Sequence, residues 1–316
     1  MPGNENVALS ILIPTFNRAD TLDRALATVF SQTLDSFEVI VVDNGPSTDR
    51  TPAVIEEYEC DQLQYVRTEE QGCIVARNMA AERASGTYLL TIDDDIELLE
   101  TTTLERLVDI FRANNGVGVI GSIELPDPEY EVQSSDDAID VGRITNGGDV
   151  KTAFETLDGH GITSVDHVRS AFMGIRRDVF TSIGGFDQSY HARGLGFRYE
   201  TDLCMRVQQA GYDVVVDPEI KIWHKGAARS RGFERNDDAE YYYFASRNHA
   251  VFMNRFFWHG QLRHLLNDLI FGSYRVPGVA RIVRRAIRHR DVGHLAYTVP
   301  ATAGKLNGFL RYLRQE

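Results

Sequence analysis

Tyr88-Leu-Leu-Thr-Ile-Asp-Asp-Asp-Ile-Glu97 decides how this chain is read. Entered from Ser85-Gly86, the apolar and β-branched run Tyr88 to Ile92 predicts a short buried strand. It passes without a break into Asp93, Asp94 and Asp95. Three adjacent like charges repel, and a buried strand end holds them only where a cation or a polar ligand compensates. In an open α/β sheet the carboxyl end of a strand is where ligands bind. Alternation along an extended segment sets Asp93 and Asp95 on one side and Asp94 on the other. Two carboxylates on one side suit Mg2+ or Mn2+ bridging a diphosphate. The competing reading is a solvated acidic turn that caps the next helix.

On the N-terminal side, Ala8 to Pro14 predicts a strand ended by proline. The polar loop Thr15-Phe-Asn-Arg18 follows, then a helix with Leu22, Ala25, Leu26, Val29 and Phe30 on one face. Phe37 to Asp43 is a second strand closing on a carboxylate, and Asn44 to Thr51 a turn with N-cap residues for a helix through Glu57. Leu63 to Arg67 reads as a strand and Cys73 to Ala84 as a helix. This alternation implies an α/β fold with a mostly parallel sheet flanked by helices, its strand-end aspartates Asp43 and Asp93 sharing one cleft.

On the C-terminal side, Thr101 to Asn114 predicts an amphipathic helix and Gly116 to Gly121 a strand. Residues 126–164 are rich in turns and acids, with Pro126-Asp-Pro, Ser134-Ser-Asp-Asp and Asn146-Gly-Gly-Asp, and read as an insertion or acceptor loop. Asp178 to Asp187 is a short helix with a glycine turn. Glu200 to Ala210 is a helix with Leu203, Met205 and Val207 inward and Gly211 as its stop. Asp213 to Val216 and Ile220 to Trp223 read as two strands split by Asp217-Pro218. From Asp238 the chain is helical and aromatic. Residues 1–236 are thus expected to form one α/β unit, with halves at about 1–125 and 126–236, and 237–316 a helical basic extension.

Composition sets the outer bounds. The 316 residues are 43% hydrophobic and 25% charged, ordinary for a globular protein with a core. No apolar run has membrane-spanning length, and Met1-Pro-Gly-Asn-Glu-Asn lacks signal-peptide character. Cys60, Cys73 and Cys204 are scattered without C-x-x-C spacing, which argues for reduced thiols in a cytoplasm and against a zinc site. The net charge of −13 is uneven: from Tyr241 onward there are 12 Lys+Arg against 3 Asp+Glu, a net +9, leaving −22 on the rest. Such a tail suits an anionic surface, or the acidic face of the body itself. In Arg281-Ile-Val-Arg-Arg-Ala-Ile-Arg288, Ile282, Ala286 and Ile287 stand opposite a basic face. That pattern fits a helix on an anionic membrane, at the inner face of the cell membrane, or a helix packed on the body with its arginines in solvent.

Several landmarks occur in order: Ser10-Ile-Leu-Ile-Pro-Thr-Phe-Asn-Arg18, Val41-Val-Asp-Asn-Gly45, Gly72-Cys-Ile-Val-Ala-Arg-Asn78, Ile92-Asp-Asp-Asp95, Gly184-Gly-Phe-Asp187, Glu200-Thr-Asp-Leu-Cys-Met-Arg206 and Trp223-His-Lys-Gly226. From about Leu9 to Gly226 the series resembles the family 2 glycosyltransferases, inverting enzymes of the GT-A fold. The resemblance implies a metal-assisted transfer of one sugar from a nucleotide-diphosphate sugar to a glycan or polyprenyl-phosphate-linked acceptor. It places Pro14, Thr15, Asn17 and Arg18 around base and ribose, and gives Asp43 a hydrogen bond from the base. A carboxylate accepting an N–H suits uracil or guanine, so UDP leads, with GDP or dTDP as alternatives. Arg77 is implied near base and diphosphate. Asp93 and Asp95 match the ends of a D-x-D motif, with Asp93 toward the ribose, Asp94 between them, and Asp95 and His224 as ligands of Mn2+ or Mg2+.

Transfer also needs a base for the acceptor hydroxyl. The family carries it in a Glu-Asp pair ahead of a D-L-x-x-R run. Here the pair is Tyr199-Glu200, followed by Asp202-Leu-Cys-Met-Arg206, so Glu200 is the expected base and Asp202 the alternative. Both also suit the N-terminal turn of a helix, where carboxylates complement the dipole. The altered pair keeps open a non-catalytic relative that binds nucleotide-sugar or glycan. No Q-x-x-R-W motif of processive synthases is present, nor the G-x-G-x-x-G of dinucleotide enzymes after strand one. A nucleic-acid partner is not expected.

Overall fold

The first half of the sheet follows the predicted alternation. In the computed structural model, described for residues 7–45, 47–58, 60–125, 127–129, 140–157, 161–191, 196–225 and 239–314, the strands are Leu9–Thr15 (β1), Phe37–Asn44 (β2), Leu63–Thr68 (β3) and Tyr88–Ile92 (β4). They pair in parallel in the order β3-β2-β1-β4. Between them run the helices Ala19–Phe30 (α1), Thr51–Glu57 (α2) and Cys73–Arg83 (α3). Leu22, Ala25, Leu26 and Val29 of α1 are buried, the face its spacing defines. Pro14 lies inside β1, not at its end: β4 pairs with β1 only as far as Leu12, so at Pro14 the strand has β2 alone beside it.

The second half runs in both directions. Ile96–Leu98 (β5), Thr103–Ala113 (α4), Val117–Leu125 (β6), Thr163–Ser164 (β7), Phe172–Arg176 (β8), Arg177–Ser182 (α5), Tyr199–Gln209 (α6) and Asp213–His224 (β9) complete a nine-stranded sheet ordered β3-β2-β1-β4-β8-β6-β9-β5, with β7 on β9. β8 is antiparallel to both β4 and β6. The longest ladders are parallel, as expected, and β5, β7 and β8 add antiparallel pairs to them. A parallel neighbour needs a crossover, usually a helix. No α-helix stands between β6 and β8 among the described residues, so the chain re-enters the sheet from the end at which it left. Asp217-Pro218 does not split β9. The fully buried Asp217 carboxylate accepts Arg106 Nε at 2.5 Å and Nη2 at 3.2 Å, and β9 resumes its pairing with β6 at Lys221.

Beyond the body lie Ala239–Met253 (α7), Leu262–Ile270 (α8), Val279–His289 (α9) and Thr298–Arg314 (α10). The end of α7 and the turn after it are not peripheral: Val251, Phe252 and Met253 of α7 and the following Trp258 join the buried cluster that holds Ile74 and Leu203. Gly304 and Gly308 let α10 lie against α7, since a Cβ there would meet Tyr243 O at 2.1 Å and Arg247 O at 2.3 Å. In α9, Ile282 and Ala286 are buried as expected, but Ile287 is 73% exposed. Met205 is only partly buried and Cys204 takes the inward place. Ser134 to Asp137, Gly226 and the 236/237 boundary lie outside the described residues.

Candidate functional site

β8 reverses twice, once against β4 and once against β6, so β1, β4, β6 and β9 all point the same way. Their carboxyl ends meet at one edge of the sheet. There Pro14, Thr15 and Arg18, then Asp93 and Asp94, then Glu124, then His224 line a cleft of about 1700 Å³. A small-molecule pocket is usually about 300–1,000 Å³, so this one has space for a nucleotide-sugar and a second substrate together.

The three aspartates are not a solvated turn. Asp94 and Asp95 are buried and Asp93 is half-buried. Arginines supply the compensation that three adjacent carboxylates require. Arg18 Nη1 stands 2.8 Å from Asp94 Oδ1 and 3.2 Å from Asp95 Oδ2, while the buried Arg77 pairs with Asp93. Arg77 also donates from Nε to Thr91 Oγ1 at 2.7 Å and carries its guanidinium over the Tyr199 ring. Thr15 Oγ1 donates to Asp94 Oδ2 at 2.7 Å. Burial nonetheless lifts the Asp94 carboxyl to about 6, against the pull of Arg18.

Asp93, Asp95 and His224 each offer one ligand atom, all within 4.8 Å of one another. This fits a divalent ion: two hard carboxylate oxygens and one imidazole form a set that Mn2+ accepts and Mg2+ tolerates. Asp94 is outside this set: its oxygens are taken by Thr15 and Arg18, and the chain turns at Asp94 and Asp95 in place of the extended alternation expected there. His224 sets Nε2 3.2 Å from Asp95 Oδ1 and Nδ1 3.2 Å from Glu124 Oε2. Although burial opposes its charge, these two carboxylates raise the imidazole to about 10. Glu124, from β6, also takes Arg169 Nη1 at 2.5 Å; burial would lift its carboxyl, but His224 and Arg169 hold it below the usual range.

Glu200, in the first turn of α6, lines the same cleft. Asp202 does not. It is fully buried and accepts Arg206 Nε at 2.6 Å, Arg255 Nη1 at 2.6 Å and Tyr190 OH at 3.1 Å. Its oxygens are engaged by three protein donors and it has no face on the cleft. The residue before Tyr199, Arg198, sits in the left-handed region at φ 79° with its guanidinium buried. Its Nη2 donates to Gly148 O and, at 3.2 Å, to His249 Nδ1 of α7. The turn that presents Glu200 is thus anchored to the C-terminal helices.

Two other expected contacts are placed otherwise. Asp43 is fully buried, its oxygens taken by Ser47 Oγ, by Tyr65 OH at 2.7 Å and by Arg67 Nε at 3.4 Å, and its neighbour Asn44 lines the cleft instead. Asn17, at φ 51°, accepts the Thr48 N–H at 2.7 Å through Oδ1 and so joins the first loop to the second. Glu124, Arg169 and Arg198 escaped the sequence reading. Five arginines of the C-terminal extension, Arg275, Arg281, Arg284, Arg285 and Arg288, also line the cleft. The basic face of α9 therefore borders the mouth of the site, with Arg281 and Arg285 half-buried and Arg284 and Arg288 exposed.

Clustered carboxylates, an imidazole and arginines gather at the carboxyl edge of a Rossmann-like sheet, where ligands bind in such folds, and Asp93, Asp95 and His224 could hold a metal ion. Residues 10–184 match the family model "Glycosyl transferase family 2", more than half of the chain, and the protein belongs to that family. Its fold is that of the GT-A glycosyltransferases. The mannosyltransferase PcManGT of Pyrobaculum calidifontis, solved with GDP-Man and Mn2+, superposes with a TM-score of 0.58 at 17% identity over 99% of this chain and 89% of its own. GalNAc-T7, solved with UDP, GalNAc and Mn2+, gives 0.63 at 14% over 91% and 55%. Among curated relatives, the O-antigen biosynthesis protein RfbC of Myxococcus xanthus is 28% identical over 74% of this chain and 18% of its own. The glucosyl-dolichyl phosphate glucuronosyltransferase of Haloferax volcanii is 23% identical over 83% and 78%. The chain spans 18%, 25% and 65% of the first three curated relatives it matches.

Proposed function

We propose that this protein is an inverting glycosyltransferase that moves a single sugar from a nucleotide-diphosphate sugar to a hydroxyl of a glycan or lipid-linked acceptor. UDP is the favoured nucleotide, with GDP and dTDP as alternatives. The observation that carries the reading is the union, in one cleft, of the Asp93, Asp95 and His224 donor set with Glu200 and the Pro14–Arg18 loop. The nucleotide-sugar and Mn2+ in the related solved structures support it.

Asp93, Asp95 and His224 would hold Mn2+ or Mg2+, which as a Lewis acid offsets the charge that develops on a departing diphosphate. Arg18 and Arg77, already beside the carboxylates, add positive charge to the same region. Pro14, Thr15 and Asn44 border the nucleotide. Glu200 takes the proton from the acceptor hydroxyl as its oxygen attacks the anomeric carbon on the face opposite the leaving group. The attack inverts the configuration. Asp202 is assigned a structural part, holding α6 through Arg206 and Arg255.

Calorimetric titration of UDP, GDP and dTDP, with and without Mn2+, tests the donor site in the wild type and in Asp95→Ala. Metal-dependent binding of one nucleotide, lost in the variant, is expected. Absence of binding by all three in either metal condition would remove the basis of the reading. Binding without transfer or donor hydrolysis would instead leave a carbohydrate-binding relative.

A further inference from the structure

The extension carries one feature that transfer chemistry does not use. Of the fifteen large hydrophobic side chains exposed among the described residues, fourteen lie between Leu262 and Leu313. They follow helical rows: Leu262, Leu266 and Ile270 on α8, Val279, Val283 and Ile287 on α9, and Leu306, Leu310 and Leu313 on α10. Residues three and four apart share one side of a helix. Each of these helices contacts the other two, so the rows belong to one packed unit. The turn between α9 and α10 adds Val292 and Leu295. Scattered exposed apolar residues are ordinary, but a concentration of this kind marks a docking surface.

α9 shows what docks. Its circumference divides into three sectors. Ile282 and Ala286 face the protein interior; Arg281, Arg284, Arg285 and Arg288, spaced as one helical side, line the cleft; Val279, Val283 and Ile287 fall between them and are exposed. Among the described residues none of the four arginines has a carboxylate within salt-bridge distance, although the protein as a whole carries a net −13. Phe271 and Tyr274, both exposed, border the same cleft. An apolar edge flanked by arginine and aromatic side chains is the composition of a helix seated at a bilayer surface, with anionic headgroups as the complement of the guanidinium row. Among the described residues no helix is long and apolar enough to cross a membrane, so this contact lies on the bilayer.

We propose that the exposed apolar rows of α8, α9 and α10 seat this protein on a lipid bilayer with the mouth of the cleft at the headgroup level, where the arginines of α9 meet the phosphate of a lipid-linked acceptor. The bilayer contact stands on the apolar face alone; the part given to the arginines rests on the glycosyltransferase reading.

Flotation of the full chain with phosphatidylcholine vesicles containing phosphatidylglycerol, at low and high salt, is the test. The variants are Leu266→Gln/Ile287→Gln/Val292→Gln and, separately, Arg284→Gln/Arg288→Gln. The wild type is expected to float at both salt concentrations. The apolar triple variant should lose more than about tenfold in vesicle partition while keeping its thermal midpoint, because exposed side chains contribute little to the core. The arginine variant should still float at high salt and should lose transfer to the sugar hydroxyls of a polyprenyl-phosphate-linked saccharide added to the vesicles. Failure of the wild type to float overturns the proposal. So does a concentration-dependent dimer, seen by sedimentation, that the triple variant abolishes, since the face would then meet a second copy. Flotation that is unaltered by the triple substitution and vanishes with salt overturns it too. Nucleotide binding is measured in parallel: its absence with flotation intact defeats the transferase reading and leaves the docking face standing.

Discussion

Glu200 and Asp202 lie two residues apart in one helical turn, yet their surroundings assign them different work. Glu200 borders the cleft, whereas Asp202 is enclosed by Arg206, Arg255 and Tyr190. Glu200→Gln keeps the shape and removes the base, so kcat should fall about 10²–10⁴-fold with nucleotide affinity unchanged. Asp202→Asn takes the buried carboxylate from the half-buried Arg206 and Arg255, of which Arg255 keeps Asp187, and should cost about 1–3 kcal/mol of stability, visible as a lower melting temperature. An Asp202→Asn protein with a native melting temperature and no activity would reverse the two assignments. Arg198 acts one step back. Arg198→Met removes the bonds to Gly148 O and His249 that hold the turn before Glu200. Turnover should drop more than tenfold, roughly, with donor affinity kept, since misplacing a reacting group slows chemistry without touching remote binding. Equal losses in both would place Arg198 in the donor pocket.

Elements with one local pattern were legible, and those defined by tertiary pairing were not. β4 and its aspartates could be read because a short apolar run ending in charge has few structural solutions. β5, three residues long, is a strand only because Ile96, Glu97 and Leu98 pair with the end of β9. β6 was expected to stop at Gly121, yet it continues through a register shift to Leu125, and that extension carries Glu124 to His224. The sequence offered the alternation Ser122-Ile-Glu-Leu125 as its signal. In α9 a two-sided reading put Ile287 inward, where three surroundings (core, cleft and open surface) divide the helix instead. The contact of α7 with α10 was also hidden, because Gly304 and Gly308 gain meaning only against the backbone they touch. Gly308→Ala should destabilise the protein by about 1–3 kcal/mol, since the added methyl lies 2.3 Å from Arg247 O and neither backbone can yield cheaply. Gly211→Ala is the control in open space, limited to the strain of its positive φ; a Gly308→Ala loss no larger than that control would show that the helices part without cost.

At the scale of the whole molecule, buried histidines set the response to acid. His167 is enclosed beside Thr201, and burial, helped by Arg198, drives its imidazole down to about 3 from an ordinary 6.5. His249, buried against the Arg198 guanidinium, is likewise held well below its usual value, first by burial and then by Arg198 and Lys305. Below pH 6.5 the unfolded chain binds protons at both sites and the folded chain does not. Each histidine therefore withdraws about 1.4 kcal/mol of stability per pH unit as the solution is acidified below its unfolded pKa. Asp94 has the opposite sign: raised to about 6, it takes its proton in the folded state first and adds stability as pH falls toward 3.8. The bulk slope mixes these contributions, so the difference between wild type and His167→Gln is the quantity to measure. Glutamine keeps a hydrogen-bonding partner for Thr201 and has no proton to gain. Chemical denaturation midpoints between pH 7 and 4.5 should fall less steeply in the variant, the gap closing by about 1.4 kcal/mol per unit below 6.5. Parallel curves would mean that His167 reaches solvent and titrates alike in both states, and that the body behind the cleft is looser than its packing indicates.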